Sequence, residues 1–314
     1  MRALVTGAAG FIGSKICQRL LADGHHVLGV DCFSDYYSAE LKKSNVQSLR
    51  NQNFTLVNED LNEMDFSSLD FDIELVFHEA GQPGVRKSWG ADFGNYTLQN
   101  ISATQRLLEQ AKNMPSLKKF VNASSSSVYG NATSYPTFET DLPMPISPYG
   151  VTKLAAEHLC SLYATAFNIP IVSLRYFTVY GPGQRPDMAF TRFLLSAVRG
   201  EQIEIFGDGE QLRDYTFVAD VVEANMLAAF NYTHPGSVFN VAGGTSVTVN
   251  EVIQLISEIS DVPLKTKRVG AVAGDATRTG GSTKKIEMEL GWEAKTNLIE
   301  GLREQLAWVR ENFS

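Results

Sequence analysis

The sequence predicts an α/β protein: a doubly wound parallel sheet with a smaller C-terminal α/β lobe. Over residues 1–175, short apolar runs alternate with longer segments of helical periodicity. A glycine-rich stretch joins the first run to the first helical segment, and beyond residue 180 the alternation gives way to turn-rich, charged segments. Alternating strands and helices form right-handed βαβ units, whose strands are parallel.

The strands are predicted from apolar runs that are typical of buried parallel sheets. The six runs are RALVT (2–6), HVLGV (26–30), FTLVN (54–58), ELVFH (74–78), KFVNA (119–123) and IVSLR (171–175). Between the first two, Ile12, Ile16 and Leu20 share one helical face, and Gly24 supplies a helix stop. We therefore expect a Rossmann-type domain over residues 1–175.

The C-terminal half has a different pattern. GPGQRPD (181–187) and FGDGEQLRD (206–214) are rich in turn residues and charges. Helical periodicity occurs around residues 188–199, 217–230, 248–259 and 297–312. Residues 176–314 are therefore expected to form a smaller α/β lobe that crosses back onto the first domain.

Composition restricts the class of partner. The formal net charge is −8 and the pI is about 5.2, which argues against a nucleic-acid or anionic-membrane surface. No run of about 18 apolar residues is present to span a membrane, and the N-terminus lacks a signal-peptide pattern. We expect a cytoplasmic protein that holds anionic ligands with a few arginines and backbone N–H groups.

Cysteine and histidine usage gives no sign of a metal site. The three cysteines (Cys17, Cys32 and Cys160) are widely spaced and odd in number, so neither a disulfide framework nor a zinc site is indicated. All three are expected to be small core residues. His25, His26 and His158 are expected to be solvated or structural.

The stretch TGAAGFIG places Gly7, Gly10 and Gly13 between the first strand and the first helix. Glycines there permit a tight turn, close approach of a pyrophosphate to the backbone and close helix packing. Asp31 ends the second strand, where a carboxylate binds a ribose diol and repels a 2′-phosphate. This pattern predicts binding of NAD rather than NADP.

The G-x-x-G-x-x-G spacing resembles that of the short-chain dehydrogenase/reductase superfamily. In that superfamily a Tyr-x-x-x-Lys pair follows the fifth strand and faces the nicotinamide, and SPYGVTK (147–153) matches it with Tyr149 and Lys153. A free phenol has a pKa of about 10 and is a poor base at neutral pH. A cationic Lys153 one turn away favours the phenolate, so the resemblance makes Tyr149 the base, with Lys153 also holding the nicotinamide ribose.

Motifs along essentially the whole chain resemble the extended branch of the superfamily, which acts on nucleotide sugars. They are VDCFSDYY, FHEAGQPGVRKSW, NASSSSVYG, SPYGVTK, RYFTVYGPGQRPDMAF, FGDGEQLRDYTFVADVVEA and FNVAGG, in family order. The resemblance implies further NAD contacts from Phe11, Ile12, Asp60, Leu61, Ala80, Gly81, Asn100, Ser124 and Tyr176. It also implies that residues 176–314 mainly bind the nucleotide sugar, and that a homodimer forms through helices near 93–112 and 147–166.

The segment before VYG distinguishes the reactions of this branch. Ser125 matches the Ser or Thr that hydrogen-bonds the sugar 4-hydroxyl. Dehydratases carry Asp-Glu at the next two positions and UDP-glucuronate decarboxylases carry Ser-Glu, whereas this chain has Ser126 and Ser127. Without the glutamate, the resemblance implies removal and return of hydride at carbon 4, which is epimerisation.

The segments GVRKSW and GQRPDMAF resemble those of UDP-glucuronate 4-epimerases. Arg185 is the candidate for the sugar 6-carboxylate, since a guanidinium can pair with it bidentately. Thr178, Ser126 and Ser127 could donate to the same group. The expected reaction is the conversion of UDP-glucuronate to UDP-galacturonate.

Three further arginines are candidates for the nucleotide and sugar. Arg213 matches the family's pyrophosphate ligand, and Arg86 lies in a loop expected beside the sugar. The family's arginine just before the C-terminal Gly-Asp is absent; only Arg268 and Arg278 are nearby, and Arg278 is the candidate. A second departure is Glu79, which replaces the usual apolar residue of the H-L-A-A pattern.

Three alternatives remain open. One is an epimerase of a neutral sugar, UDP-galactose or UDP-N-acetylglucosamine; another is a UDP-glucuronate decarboxylase. The third is a non-catalytic NAD-binding sensor, which this fold also hosts. The presence of Ser125, Tyr149 and Lys153 together argues against the sensor.

Overall fold

The computed structural model describes residues 1–49, 51–66, 72–270 and 273–313. Its strands are β1 (Arg2–Thr6), β2 (His26–Val30), β3 (Phe54–Val57), β4 (Leu75–His78), β5 (Lys119–Ser125), β6 (Ile171–Tyr176), β7 (Thr178–Tyr180), β8 (Ile203–Phe206), β9 (Leu212–Phe217), β10 (Ser237–Val241), β11 (Ser246–Thr248) and β12 (Thr266–Val269). Its α-helices are α1 (Phe11–Ala22), α2 (Ala39–Gln47), α3 (Phe93–Tyr96), α4 (Ala103–Ala111), α5 (Pro148–Phe167), α6 (Ala189–Arg199), α7 (Val218–Phe230), α8 (Val249–Ser260), α9 (Lys284–Leu290) and α10 (Leu298–Phe313).

Seven strands form the main sheet in the order β10-β6-β5-β4-β1-β2-β3, and every neighbouring pair is parallel. The strand order reverses between β1 and β4, and α/β sheets bind ligands at the carboxyl ends of strands beside such a switch point. The six predicted strands coincide with β1–β6, so the predicted doubly wound parallel sheet is confirmed. The seventh strand, β10, comes from the C-terminal half.

The remaining strands form two small sheets, β11-β9-β7 and β12-β8. Helix α6 packs against α8 and α10 beside them. The four helical patterns predicted for this half coincide with α6, α7, α8 and α10. The predicted C-terminal α/β lobe is therefore present.

Two of the three cysteines lie in the core. Cys17 and Cys160 are fully buried, as predicted, but Cys32 is exposed. The prediction for Cys32 is wrong because the residue lies just past β2, where the chain has left the sheet and lines a cleft. Among the described residues, no helix combines the length and the apolar character needed to cross a membrane.

Candidate active site

A cleft enclosing about 1270 Å³, its open mouth included, lies at the carboxyl ends of the central strands. The structure brings most of the predicted cofactor and catalytic residues together in its walls. They are Gly7, Gly10, Phe11, Ile12, Gly13, Asp31, Leu61, Ala80, Gly81, Asn100, Ser124, Tyr149, Lys153, Tyr176 and Arg185.

The glycine-rich loop over residues 7–13 forms a cradle whose tightly packed backbone leaves no room for side chains at two of its glycines. Gly7 has a φ of +68°, and a Cβ there would lie 2.8 Å from the backbone nitrogen of Ala80. A Cβ on Gly13 would lie 2.2 Å from the Gly7 carbonyl oxygen. Helix α1 begins directly after Gly10 and points its free N–H groups at this space. The cradle therefore fits a pyrophosphate.

Asp31 is fixed at the edge of the same cradle. Its Oδ2 accepts a hydrogen bond from the backbone N–H of Ala9 (3.1 Å), and its Oδ1 accepts one from Phe33 (2.8 Å). Each carboxylate oxygen keeps a further lone pair, so the side chain can accept hydrogen bonds from a ribose diol. The residues present thus fit a dinucleotide with a free 2′-hydroxyl.

Two predicted cofactor residues have protein partners of their own. Asp60 lies outside the cleft wall, and its carboxylate accepts a hydrogen bond from Nε2 of Gln99 (2.7 Å). Asn100 lines the cleft, but its Oδ1 accepts from the backbone N–H of Gln82 (2.7 Å) and its Nδ2 donates to Oγ1 of Thr152 (2.9 Å). In this structure, Asn100 connects the cleft loop to α5.

The predicted Tyr-Lys pair lies in the first turns of α5. Ser147 caps the helix by accepting a hydrogen bond from the N–H of Gly150 (3.1 Å), and proline occupies the first helical position. Tyr149 and Lys153 then fall one turn apart on the cleft side. The Lys153 ammonium donates to the carbonyl oxygen of Ala123, which fixes its position at the end of β5.

The serine run turns the chain at the end of β5. Ser125 Oγ accepts a hydrogen bond from the N–H of Ser127 (3.1 Å) and so starts a short 3₁₀ turn over 126–128. A Cβ on Gly150 would lie 2.6 Å from the Ser127 carbonyl oxygen, so this turn packs directly on the start of α5. Ser125, Ser126 and Ser127 follow the cleft-lining Ser124 but are not part of the cleft wall, nor is Thr178 at the start of β7.

Arg185 lines the cleft, and its guanidinium already has a protein partner. Its Nε and Nη2 donate to the two carboxylate oxygens of Asp187 at 2.9 and 3.0 Å. The guanidinium also lies 5.7 Å from the ring centroid of Tyr36. Asp187 thus occupies one of the two donor edges of the guanidinium that was predicted to bind a carboxylate. The other edge, formed by Nη1 and Nη2, remains for a ligand.

Arg86 and Arg213 come together around one carboxylate, away from the cleft wall. Asp275 accepts from Nη2 of Arg213 (3.1 Å) and from Nη2 of Arg86 (3.3 Å). Arg86 also lies 3.8 Å above the ring of Phe206. The two guanidiniums form a positive site with a single counter-ion, which suits a diphosphate.

Arg278 lies beside this pair but does not share its carboxylate: its backbone forms a β-bridge with Leu212, the residue before Arg213. Its guanidinium is exposed and lies 4.5 Å above the ring of Tyr135. The Tyr135 hydroxyl donates to the Arg278 carbonyl oxygen at 2.7 Å. The structure does not place Arg278 in the cleft wall or on Asp275.

Comparison with known proteins agrees with this geometry. Residues 3–242 match the model of the NAD dependent epimerase/dehydratase family. The chain belongs to this family. The structure of a UDP-glucuronic acid 4-epimerase from Bacillus cereus, in complex with UDP-glucuronic acid and NAD, is 42% identical in sequence. It superposes with a TM-score of 0.96, and the match covers 100% of both chains.

Two curated relatives are similar over nearly their whole length. The uncharacterized UDP-glucose epimerase YtcB of Bacillus subtilis is 42% identical over 98% of both chains. The UDP-glucuronate 4-epimerase of Thermodesulfobacterium geofontis is 35% identical over 99% of this chain and 96% of the relative.

This member of the epimerase/dehydratase family also has cleft residues that the sequence reasoning did not assign. They are Val30, Cys32, Ser34, Tyr36, Tyr37, Lys42, Glu59, Glu79, Gln82, Pro83, Asn95, Gln99 and Ala123. Lys42 is buried, and its ammonium donates to the carbonyl (2.7 Å) and hydroxyl (3.0 Å) oxygens of Ser34. In the sequence, the DCFSDYY segment (31–37) could have indicated four of these residues, because its polar and aromatic side chains directly follow Asp31.

A buried polar network supports the floor of the cleft. Ser124 Oγ donates to Glu157 (2.6 Å), and Glu157 forms a two-pronged ion pair with Arg175 (2.6 and 3.0 Å). Arg175 Nη1 donates to the Tyr129 hydroxyl (2.6 Å), which donates to Asn240 (2.7 Å). In the sequence, the indication of this network was Arg175, a charged residue at the end of the otherwise apolar, fully buried strand β6.

Proposed function

We propose that the chain is an NAD-dependent UDP-glucuronate 4-epimerase that interconverts UDP-glucuronate and UDP-galacturonate. One observation carries the proposal. A single cleft combines the glycine cradle, the Tyr149–Lys153 pair and the guanidinium of Arg185. The similarity to the B. cereus enzyme, which was crystallised with UDP-glucuronic acid and NAD, supports the choice of sugar and cofactor.

Tyr149 would act as the base for the sugar 4-hydroxyl. Lys153 is held one turn away by the Ala123 carbonyl, and its positive charge favours the phenolate. Ser125 would orient or relay the proton. Such general-base help is worth roughly 10²–10⁴-fold, and positioning within the cleft supplies much of the remainder.

When bound, NAD accepts the hydride from carbon 4 and returns it to the opposite face of the same carbon. Tyr149 takes the hydroxyl proton in the forward step and gives it back in the return step. The 4-keto sugar must turn about its diphosphate link between the two steps. Arg86 and Arg213 would hold that diphosphate, with Arg278 as the third candidate.

The side chains at the end of β5 favour epimerisation over dehydration and decarboxylation, the reactions of other members of the resembled branch. Ser127 stands where dehydratases and decarboxylases of the resembled branch carry glutamate, and Ser126 stands where the dehydratases carry aspartate. A serine cannot serve as the base for chemistry at carbons 5 and 6 at neutral pH. Decarboxylation would have to occur without protein assistance.

A uronate substrate can lose CO₂ during the reaction, because its 4-keto form is a β-keto acid. Loss of CO₂ requires the C5–carboxylate bond to stand perpendicular to the ketone plane. An arginine clamp, with donors from Thr178 and the serines, would hold that bond near the plane. Arg185 is the candidate clamp because it lines the cleft and keeps one free donor edge.

The second candidate function is 4-epimerisation of a neutral UDP-sugar. Two observations favour it: Asp187 already pairs with Arg185, and the 42%-identical B. subtilis relative carries the name of a UDP-glucose epimerase. The catalysis would be the same, and only the contacts to carbon 6 would differ.

We also propose a homodimer, formed through the segment 93–111 and helix α5. Leu98, Leu162 and Phe167 in these segments are 46%, 58% and 50% exposed, and a contact between two copies would bury their apolar surface.

We propose a cytoplasmic location as well, because three free cysteines suit a reducing compartment. Residues 1–175 would carry the cofactor and residues 176–314 mainly the nucleotide sugar.

The test is incubation of the purified protein with UDP-glucuronate, UDP-glucose and UDP-N-acetylglucosamine separately, without added NAD. We expect UDP-galacturonate from the first and little product from the others, since the cofactor is regenerated in each cycle. Product only from the neutral sugars would favour the second candidate. A stoichiometric need for external NAD, with accumulation of NADH, would indicate a dehydrogenase.

A further inference from the structure

Glu79 is an acidic residue in the cleft wall that the proposed mechanism does not use. It directly follows β4 and lines the cleft together with Tyr149 and Lys153. The resembled pattern has an apolar residue here, so the carboxyl group is a feature of this chain.

A chain of hydrogen bonds holds the carboxyl group in one orientation. Nδ2 of the fully buried Asn225 donates to the Tyr176 hydroxyl oxygen (2.8 Å) and to the carbonyl oxygen of Val221 (2.9 Å). The Tyr176 hydroxyl donates to Oε1 of Glu79 at 2.8 Å. Oδ1 of Asn225 is a second acceptor, 3.0 Å from the same hydroxyl oxygen, so the single phenol proton goes to the nearer acceptor, Oε1 of Glu79.

Glu79 and Lys153 are the charged groups that face each other here. Burial raises the pKa of Glu79 to about 7, although the Tyr176 hydrogen bond and Lys153 act against the rise. Burial also raises the pKa of Tyr176 well above its usual value, so the phenol stays neutral. On β4 itself, burial lowers the pKa of His78 to about 3, so the imidazole is uncharged; Asn225 on α7 carries no charge.

We propose that the Glu79 carboxylate places a negative charge at the nicotinamide end of the cleft and so favours the oxidised cofactor over the reduced one. The inference rests on the proposed function, which puts the nicotinamide beside Tyr149 and Lys153. Oxidised nicotinamide is a cation and reduced nicotinamide is neutral, so a nearby anion stabilises the first relative to the second. The hydride is then returned promptly, and the decarboxylation-prone keto acid is short-lived.

The test is a redox titration of the holoenzyme, with the absorbance of reduced nicotinamide followed while a mediator dye sets the ambient potential. At one potential, Glu79→Gln should raise the ratio of reduced to oxidised bound cofactor roughly three- to tenfold. Glu59→Gln is the matched control. It removes an exposed acid from the same cleft wall beyond the edge strand β3, and the ratio should stay at the parent value.

The pH dependence gives a second readout. As the pH rises through about 7, Glu79 ionises, and the parent's preference for oxidised cofactor should grow relative to Glu79→Gln. Tyr176→Phe removes a hydrogen bond that stabilises the carboxylate, so the transition should move to higher pH. An unchanged ratio in Glu79→Gln, or an unmoved transition in Tyr176→Phe, would overturn the inference.

The titration contains no sugar, so its outcome is independent of the substrate assay. A parent that fails to epimerise any UDP-sugar would refute the proposed function, and the ratio would still decide the role of Glu79. A parent that epimerises, with a Glu79→Gln ratio equal to its own, would refute this inference alone.

Discussion

Arg185 and Asp187, two residues apart in the chain, form a two-pronged ion pair at the wall of the cleft. The Nε–Oδ1 and Nη2–Oδ2 distances are 2.9 and 3.0 Å, and the two side chains are 16% and 37% exposed. Asp187 therefore fixes the guanidinium plane and offsets its charge. A substrate carboxylate must share Arg185 with Asp187 or displace it.

Arg185→Ala should reduce kcat/KM for UDP-glucuronate by about one to two orders of magnitude. It removes a charge-assisted pair worth about 1.5–3 kcal/mol. UDP-glucose has no carboxylate and should be affected much less, so it serves as the internal control. Freed from its position in the ketone plane, the keto acid should also lose CO₂ and yield a UDP-4-keto-pentose. An equal loss on both sugars without that product would favour the neutral-sugar epimerase.

Asp187→Asn should lower KM for UDP-glucuronate about two- to fivefold, because part-exposed ion pairs are worth up to about 1 kcal/mol. The amide oxygen can still accept one hydrogen bond from Arg185, but the competing negative charge is gone. KM for UDP-glucose should not change. A higher KM for the uronate would mean that Asp187 orients Arg185 for the substrate rather than competing with it.

The sheet was predictable because each buried strand is a short apolar run between helical segments, and β1–β6 coincide with those runs. The start of α5 was also predictable, since Ser147 and Pro148 are a local capping pattern.

The role of Asp275 could not be predicted from the sequence. It joins Arg86 and Arg213, and Arg86 is 189 residues away in sequence. Likewise, nothing local shows that Glu157 meets Arg175. The catalytic roles of Ser125, Tyr149 and Lys153 stay predictions.

Tyr149→Phe should lower kcat roughly 10²–10⁴-fold, because it removes the proton acceptor and leaves the ring in place. The ring's edge-to-face contact with Tyr96, at 6.3 Å between centroids, should survive the change. Bound NAD and the thermal melting temperature should match those of the parent. Turnover within a few-fold of the parent would remove Tyr149 from the mechanism.

Glu157→Gln should be among the most destabilising single changes near the cleft. Glu157 and Arg175 are each only 4% exposed, and the change would leave the Arg175 guanidinium buried without a counter-charge. Removing one partner of such a pair costs about 3–5 kcal/mol, whereas replacing both by apolar residues is often neutral. The measurement is urea denaturation of the parent, Glu157→Gln, and a double variant with methionine at both positions.

Glu223→Gln is the matched control because it breaks an ion pair with Arg19 of similar length, 2.8 Å, in which Arg19 and Glu223 are 41% and 36% exposed. The control should lose less than about 1 kcal/mol. The double variant should recover most of the lost stability, but its NAD affinity should remain below that of the parent because Ser124 loses its partner. Equal losses of unfolding free energy in Glu157→Gln and Glu223→Gln would show that burial does not determine how much an ion pair contributes to stability.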